Sequence, residues 1–440
     1  MAERVVIVGG GVAGLTLAER LLARPGTAVI LVEREPDVGG LARTFEYDGF
    51  TFDIGPHRFH TTDSDVQNYV LSVLGGDHIL IPRKSSVYLS GRYYNWPLTL
   101  SGALRLPLRI VLPGVLDIVY RPGSRDARTF ADHIISRYGR SLYRNFFRDY
   151  TRKFTGIDAG ELHSDWARAG VDRAVIDRRV RADNIGSLLR GLLLPRPVST
   201  SFVYPARGGI SSFCKELLER VVRRHGMVAT GAGVVGIEQS NGRVTGVRLS
   251  GGSTITADRV FWSAPLSILF PELGFSFMNT VLYNIGLQKE QGNDWQWCYF
   301  GEADIVFSRL TAPRNFREDT VPMARDSLVA EITCRSTDPV WSDPASLIPG
   351  VIESLERVGA ARSADVVFVR PERVPETYPV YDLSYRERIG RAMERLPEGL
   401  SLIGRCGCFW YNNMDHSISQ ALRLASGKPE QSREFWLDST

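Results

Sequence analysis

Residues 4–22 read RVVIVGGGVAGLTLAERLL, and this stretch decides the fold. Val5, Val6, Ile7 and Val8 form an unbroken β-branched run, the pattern of a strand buried on both faces. Glycines follow at once, and then apolar residues at helical spacing. Gly9, Gly11 and Gly14 fit GxGxxG. The first permits a tight turn, the second lets a pyrophosphate approach the backbone, and the third lets helix pack on strand. The helix start then offers free N–H groups and a partial positive charge. A second predicted strand, AVILVER at 28–34, carries Glu33, 19 positions beyond Gly14. An acid there hydrogen-bonds a ribose 2′-hydroxyl and repels a 2′-phosphate, which argues against NADP in this site. Strand, turn, helix, strand and acid agree on dinucleotide binding.

Working outward, 440 residues call for two or three packing units. An apolar share of 43% and a charged share of 23% suit a globular enzyme, and a net charge of +4 gives no electrostatic case for nucleic acid. The basic residues are nearly all arginine, with five lysines, and a guanidinium fork suits phosphate oxygens. Cysteines at 214, 298, 334, 406 and 408 form no CxxC pair, so no metal site is expected, and a reducing cytoplasm is. The first residues read as a strand, not a signal peptide, and no window holds 18 uninterrupted apolar residues, so no membrane span is expected. The most apolar stretch, LPLRIVLPGVLDIVY at 106–120, is interrupted by Pro107, Arg109 and Pro113; a buried helical turn and connector is expected there in preference to shallow membrane contact.

The next segment, VGGLART at 38–44, resembles the extended FAD motif of the amine oxidase-like flavoproteins. Gly39 and Gly40 offer another close backbone approach, and Arg43 another phosphate or flavin partner. FAD folds of this kind return to the nucleotide late in the chain. The segment 226–265, with its Asn-Gly and Gly-Gly turns and an apolar last strand, suits that role and places Val234 at the cofactor. GLSLIGRCGCF at 399–409, a strand ending in Gly404 and Arg405, suits the final return. The expected fold is α/β, a Rossmann-type FAD domain with a helical domain and an antiparallel-sheet substrate domain. Residues 1–95, 200–265 and 396–440 are assigned to a discontinuous FAD domain, 96–199 to the helical domain and 266–395 to the substrate sheet, with a helix near 346–358.

GPHRFHT at 55–61 leaves the cofactor domain where the chain should pass the flavin. His57 and His60 could serve as metal ligands, as a catalytic base, or as groups packed and hydrogen-bonded at the flavin face; the last is favoured because no further ligand pattern recurs. Gly55 is counted with the cofactor contacts. This loop is very similar to a Gly-Pro-His-x-Phe-His-Thr stretch of the UDP-galactopyranose mutases. Four further blocks resemble that family in its order: 139–162, 202–217, 305–316 and 408–422.

The resemblance implies two arginines that clamp a sugar-nucleotide diphosphate. Counting on from Glu161-Leu162 gives Arg173 for the first, with Arg168, Arg178 and Arg179 as rivals, and the strand at 305–316 gives Arg309 for the second. Tyr411 and Tyr378 match tyrosines at the diphosphate. Tyr150 matches an aromatic that stacks on the nucleobase, with Phe146 one helical turn before it. Asn413 and Asp415 match positions against the ribityl chain or flavin, with His416 a weaker candidate. The family's Lys-Gln-Trp-Gly is here Lys153-Phe154-Thr155-Gly156, which leaves UDP, GDP and dTDP all open and puts galactose in doubt.

The implied reaction interconverts pyranose and furanose forms of an NDP-hexose through an adduct at N5 of reduced FAD, with no net redox. An external reductant such as NAD(P)H would keep the flavin reduced. The rival class is an FAD oxidoreductase of the amine oxidase or protoporphyrinogen oxidase type, in which SDWARAGV at 164–171 and YPVYDLSY at 378–385 are also at home. Arg309 with Tyr411 favours the mutase, since an apolar substrate would leave a buried cation unpaired. Monomer and homodimer both remain open.

Overall fold

The computed structural model describes residues 2–96, 105–120, 127–167, 169 and 201–427. Strand β1 (Glu3–Val8), helix α1 (Val12–Leu21) and strand β2 (Thr27–Val32) form the first unit. β1 lies at the centre of a five-stranded sheet, between β2 and Arg259–Trp262, with Met227–Ala229 and Leu400–Leu402 at the edges. Every pair in it is parallel. The strands thus come from three separated stretches of chain. Alternation divides β1 between two layers. Val5 and Ile7 pack with Leu15, Leu17, Phe213 and Ile418. Val6 and Val8 pack with Val247, Trp262 and Phe409. Both faces are covered, as a continuous apolar run demands.

A second sheet has seven strands in the order Val366–Pro379, Phe277–Leu287, Asp326–Cys334, Arg309–Thr311, Trp297–Phe300, Ser85–Leu89 and Arg92–Asn95. The last two belong to the stretch that the sequence groups with the dinucleotide fold. Ser85–Leu89 pairs parallel with Trp297–Phe300, so this sheet is mixed and not wholly antiparallel. The physical reason is the connection: more than two hundred residues separate the two strands, so no hairpin constrains their direction. The helix anticipated near 346–358 runs Ile348–Arg357.

The apolar stretch at 106–120 departs from expectation. It forms a helix, Leu108–Tyr120, with Pro113 inside it. Leu108, Leu112 and Leu116, four residues apart, are exposed and not buried. Among the described residues, no helix is long and apolar enough to cross a membrane. The tail after 427, Arg173 and its rivals Arg168, Arg178 and Arg179 lie outside the described residues.

Asp53 joins the loop before the histidines to the segment after the helical region. It accepts hydrogen bonds from Thr44 Oγ1 at 2.6 Å, Tyr204 Oη at 2.5 Å and Ile210 N at 3.0 Å. Burial pushes its carboxyl above the usual range, while these three donors oppose that. Asp53→Ala strands three donors, and at 1–3 kcal/mol for each buried unmet group a net loss of about 3 kcal/mol is expected in urea unfolding. A midpoint equal to that of the parent chain would remove the hub.

Candidate active site

Three clefts adjoin one another where the two sheets meet. The first is lined by Gly9, Gly11, Glu33, Gly39, Gly40, Arg43, Val234, Gly404 and Arg405, together with His57 and Asn413. Local geometry explains why they gather. Gly9 has φ +101°, and a Cβ there would stand 2.1 Å from Ser263 Oγ. The Gly39 N–H donates to Gly10 O at 2.8 Å, which holds the second glycine pair against the first turn. The Glu33 carboxylate accepts from Gly10 N at 2.7 Å and from Glu35 N at 2.9 Å, so it is fixed at the end of β2. Arg43 donates to Gly40 O at 3.0 Å and lies 3.6 Å from Glu35. α1 has no acid in its first turn and no side chain capping Gly11. The helix Met414–Ala425 also begins here, capped by Asn413 and by His416, which accounts for His416 structurally.

The second cleft opens from the first past His57, Arg405 and Asn413, which line both. Its walls carry Arg58, His60, Arg83, Arg309, Tyr378 and Tyr411, with Glu331 and Asp415 as the carboxylates. Asp415 therefore faces this cleft and not the first. Gly55 lies on neither wall: a Cβ there would stand 3.1 Å from Arg309 Nη2, so its φ of +71° serves the packing of that arginine.

Arg309 is not a lone cation. Its Nε donates to Glu331 Oε1 at 2.6 Å, and its Nη2 to Glu331 Oε2 and, at 3.4 Å, to Tyr378 Oη. Burial alone would lower its pKa, and the Glu331 carboxylate more than offsets that and holds it charged. No bond to Nη1 occurs among the described residues, so one edge of the guanidinium is committed to Glu331 and the other faces the cleft. Arg405 donates to Thr377 O at 2.9 Å and to Asn412 O, and sits 5.4 Å from the ring centres of both Tyr378 and Tyr411.

The third cleft shares Arg309, Tyr299 and Tyr411 with the second. It has a volume of about 430 Å³, within the range of small-molecule sites. Phe146, Tyr150 and Phe154 line it. Phe146 falls in a π-helical turn, Tyr143–Phe147, so it does not follow the helical spacing assumed from sequence. Phe154 lies 5.7 Å from Tyr150 and 4.7 Å from Tyr378 between ring centres. Trp166, twelve residues on, stands beside Phe154 at 6.2 Å and beside Tyr411 at 4.9 Å, and so places an indole on this wall. Lys153 points away: its Nζ donates to the carbonyls of Phe300, Glu302, Ile305 and Phe307.

Sequence reasoning missed Glu331, Arg58, Trp166 and Trp297. For Glu331 a signal existed, an acid inside the apolar strand SLVAEITC at 327–334. For the others no local pattern distinguishes a lining residue from a packed one.

His57 has a buried Nδ1 without a hydrogen-bond partner. Burial first, then the charges of Arg405 and Arg309, push its pKa from 6.5 down to about 3. The folded protein therefore keeps it neutral, while the unfolded chain protonates it near the usual value. Its contribution to stability is whole above pH 6.5 and is lost as pH falls toward about 3. His57→Gln is expected to flatten the fall of Tm across that window in differential scanning fluorimetry; an unchanged slope would assign the acid sensitivity elsewhere.

The first cleft fits an FAD dinucleotide on three observations: glycines whose backbones converge, two helix starts at one place, and an unpartnered imidazole nitrogen at the mouth toward the second cleft.

The family model for flavin-containing amine oxidoreductases matches residues 12–286. A zeta-carotene-forming phytoene desaturase of Myxococcus xanthus is 28% identical over 302 residues, 62% of this chain and 55% of the relative. A probable UDP-galactopyranose mutase of Klebsiella pneumoniae is 26% identical over 167 residues, 36% of this chain and 43% of the relative. A dTDP-fucopyranose mutase of Escherichia coli is 26% identical over 167 residues, with 36% and 44% covered. The matches span about half the length of these curated relatives. In three dimensions, a reduced UDP-galactopyranose mutase superposes with a TM-score of 0.82 over 99% of this chain and 98% of its own, at 20% identity. A putative protoporphyrinogen oxidase from Exiguobacterium gives 0.76 over 97% and 98%, at 18% identity. Both likenesses speak to the fold.

Proposed function

The chain belongs to the flavin-containing amine oxidoreductase family, and from that premise we propose that it is an FAD-dependent mutase of a nucleotide-linked hexose. The observation that carries this reading is the series of three clefts, with Arg309 and Tyr411 at the junction of the second and third. A nucleobase fits the aromatic third cleft, a diphosphate the arginine junction, and a sugar the second cleft beside the cofactor. Bound reduced FAD supplies the nucleophile for the anomeric carbon, with NAD(P)H as external reductant and no net redox change.

The protein's part is position and charge. Arg309, charged and braced by Glu331, offers Nη1 to the diphosphate and stabilises it as it leaves and returns. Tyr411 and Tyr378 flank the same point, and Arg405 adds its charge 5.4 Å from both ring centres. Tyr150, Phe154 and Trp166 hold the base by stacking, which keeps the anomeric carbon at one place relative to the cofactor. Neutral His57 covers the passage between the first two clefts and excludes water there. Arg173, as a second diphosphate arginine, remains part of the reading. We further read the three pieces of the parallel sheet as one FAD-binding unit, and the enzyme as cytoplasmic, monomeric or homodimeric, with no nucleic-acid partner.

One observation favours an oxidoreductase instead: Arg309 already has a carboxylate, so an uncharged substrate would not strand it. Titration of the flavoprotein with UDP, dTDP and GDP, oxidised and then dithionite-reduced, decides between them. Micromolar binding of one nucleotide, with interconversion of its sugar nucleotide by the reduced enzyme only, is expected. Absence of nucleotide binding with steady oxygen uptake on amines or polyenes would overturn the mutase.

A further inference from the structure

We propose that the sugar carried by the substrate is acidic, and that Arg58 in the second cleft is the residue that selects its carboxylate. The inference rests on the mutase reading, because it uses the order base, diphosphate, sugar along the three clefts.

Arg309 and Tyr411 mark the diphosphate, since they line both the second and the third cleft. Arg58 lines the second and not the third, so it stands at the sugar end, beyond the diphosphate from the base. Its guanidinium carbon lies 4.3 Å from the ring centre of Trp297 and 4.8 Å from that of Phe202. One Nη1–H donates to Pro56 O, while Nε is buried with no partner. Among the described residues it forms no ion pair. The other arginines of the cleft have partners: Arg309 pairs with Glu331, Arg405 donates to two backbone carbonyls, and Arg83 donates to Ser85 Oγ at 3.0 Å.

A cation stacked on two aromatic faces with an unmet buried N–H is costly unless an anion completes it. Burial first, and then the charges of Arg83 and Arg309, pull its pKa down to about 10, while Tyr299 and Asp415 work in the opposite sense. It therefore remains charged at neutral pH. The neighbouring Arg83 shares the Trp297 ring, 5.6 Å from its centre, and adds positive potential. The second cleft thus gathers four arginines, Arg58, Arg83, Arg309 and Arg405, against two carboxylates, Glu331 and Asp415. At the sugar end Arg58 and Arg83 face one carboxylate, Asp415, so one positive charge there stays unmatched while a diphosphate occupies the Arg309 junction. A carboxylate in place of the hexose hydroxymethyl group adds one oxygen and one negative charge, and a planar guanidinium edge receives it bidentately.

The test uses the holoenzyme and whichever of UDP, dTDP or GDP it binds. Affinities are measured by calorimetry for that nucleoside diphosphate, for its hexose conjugate, and for the corresponding uronate. The wild type is expected to bind the uronate about tenfold or more tighter than the hexose, the scale of one charge-assisted hydrogen bond. Arg58→Met, which keeps a stem to pack on Trp297, should bring that ratio to about one with the free nucleotide bound as before. Flavin absorbance reports whether the variant has folded. A ratio near one in the wild type overturns the proposal and spares the mutase reading. An equal loss for free nucleotide in Arg58→Met overturns it too, by making Arg58 a diphosphate contact. Absence of any nucleotide binding overturns both.

Discussion

Arg309→Ala is expected to lose nucleotide binding and to destabilise the fold together. The side chain connects the two effects because its bidentate partner, Glu331, is only 4% exposed. Removing the arginine leaves that carboxylate buried without its cation, and breaking one side of such a pair costs about 3–5 kcal/mol. On the mutase reading a bound diphosphate would lose a hydrogen-bonded charge contact, worth about 2–5 kcal/mol in affinity. Arg309→Met with Glu331→Leu separates the two. Replacing a buried ion pair by apolar residues of similar volume is often neutral or better, so the double variant should recover most of the thermal stability. It should still not bind nucleotide. Thermal unfolding and calorimetry on the three proteins read both quantities, and wild-type affinity in the double variant would reduce Arg309 to a structural role.

Gly14→Ala is expected to yield a protein that retains less than about a tenth of its flavin. A Cβ at Gly14 would lie 2.0 Å from Gly9 O and 3.2 Å from Gly9 C, with Ile7 Cγ2 at 3.3 Å. The obstructing atoms are backbone atoms of the turn itself, so relief requires moving the loop that the pyrophosphate approaches. α1 would have to lift from β1, and Leu15 and Leu17, fully buried in the core with Val5 and Ile7, would move with it. Gly251→Ala is the matched control, as nothing lies within 4 Å of its Cβ position. The ratio of flavin to protein absorbance after purification distinguishes them. Equal flavin in both variants would mean that the first cleft does not hold the dinucleotide.

The exposed leucines of the helix Leu108–Tyr120 show where a sequence pattern misleads. Hydrophobicity alone suggests burial there, yet leucines four apart share one face of a helix, and a face is buried only if another element covers it. The strands Ser85–Leu89 and Arg92–Asn95 make the same point for topology. The sequence groups them with the dinucleotide fold, but which sheet they join depends on partners more than two hundred residues away.

What the sequence by itself determined is the part governed by local backbone. Four β-branched residues, three glycines at fixed spacing and an acid at the end of the next strand specify a turn whose geometry depends on few neighbours. The tertiary structure alone decided how the charges of the site are paired. Glu331 meets Arg309 from a neighbouring strand. Trp166 reaches Phe154 and Tyr411, and Arg58 rests on Trp297, across hundreds of residues in two of these three contacts. Such contacts have no period and no spacing. They exist because two sheets and a helical segment close on one place, and only that closure determines whether an arginine faces a carboxylate, a ring or a substrate.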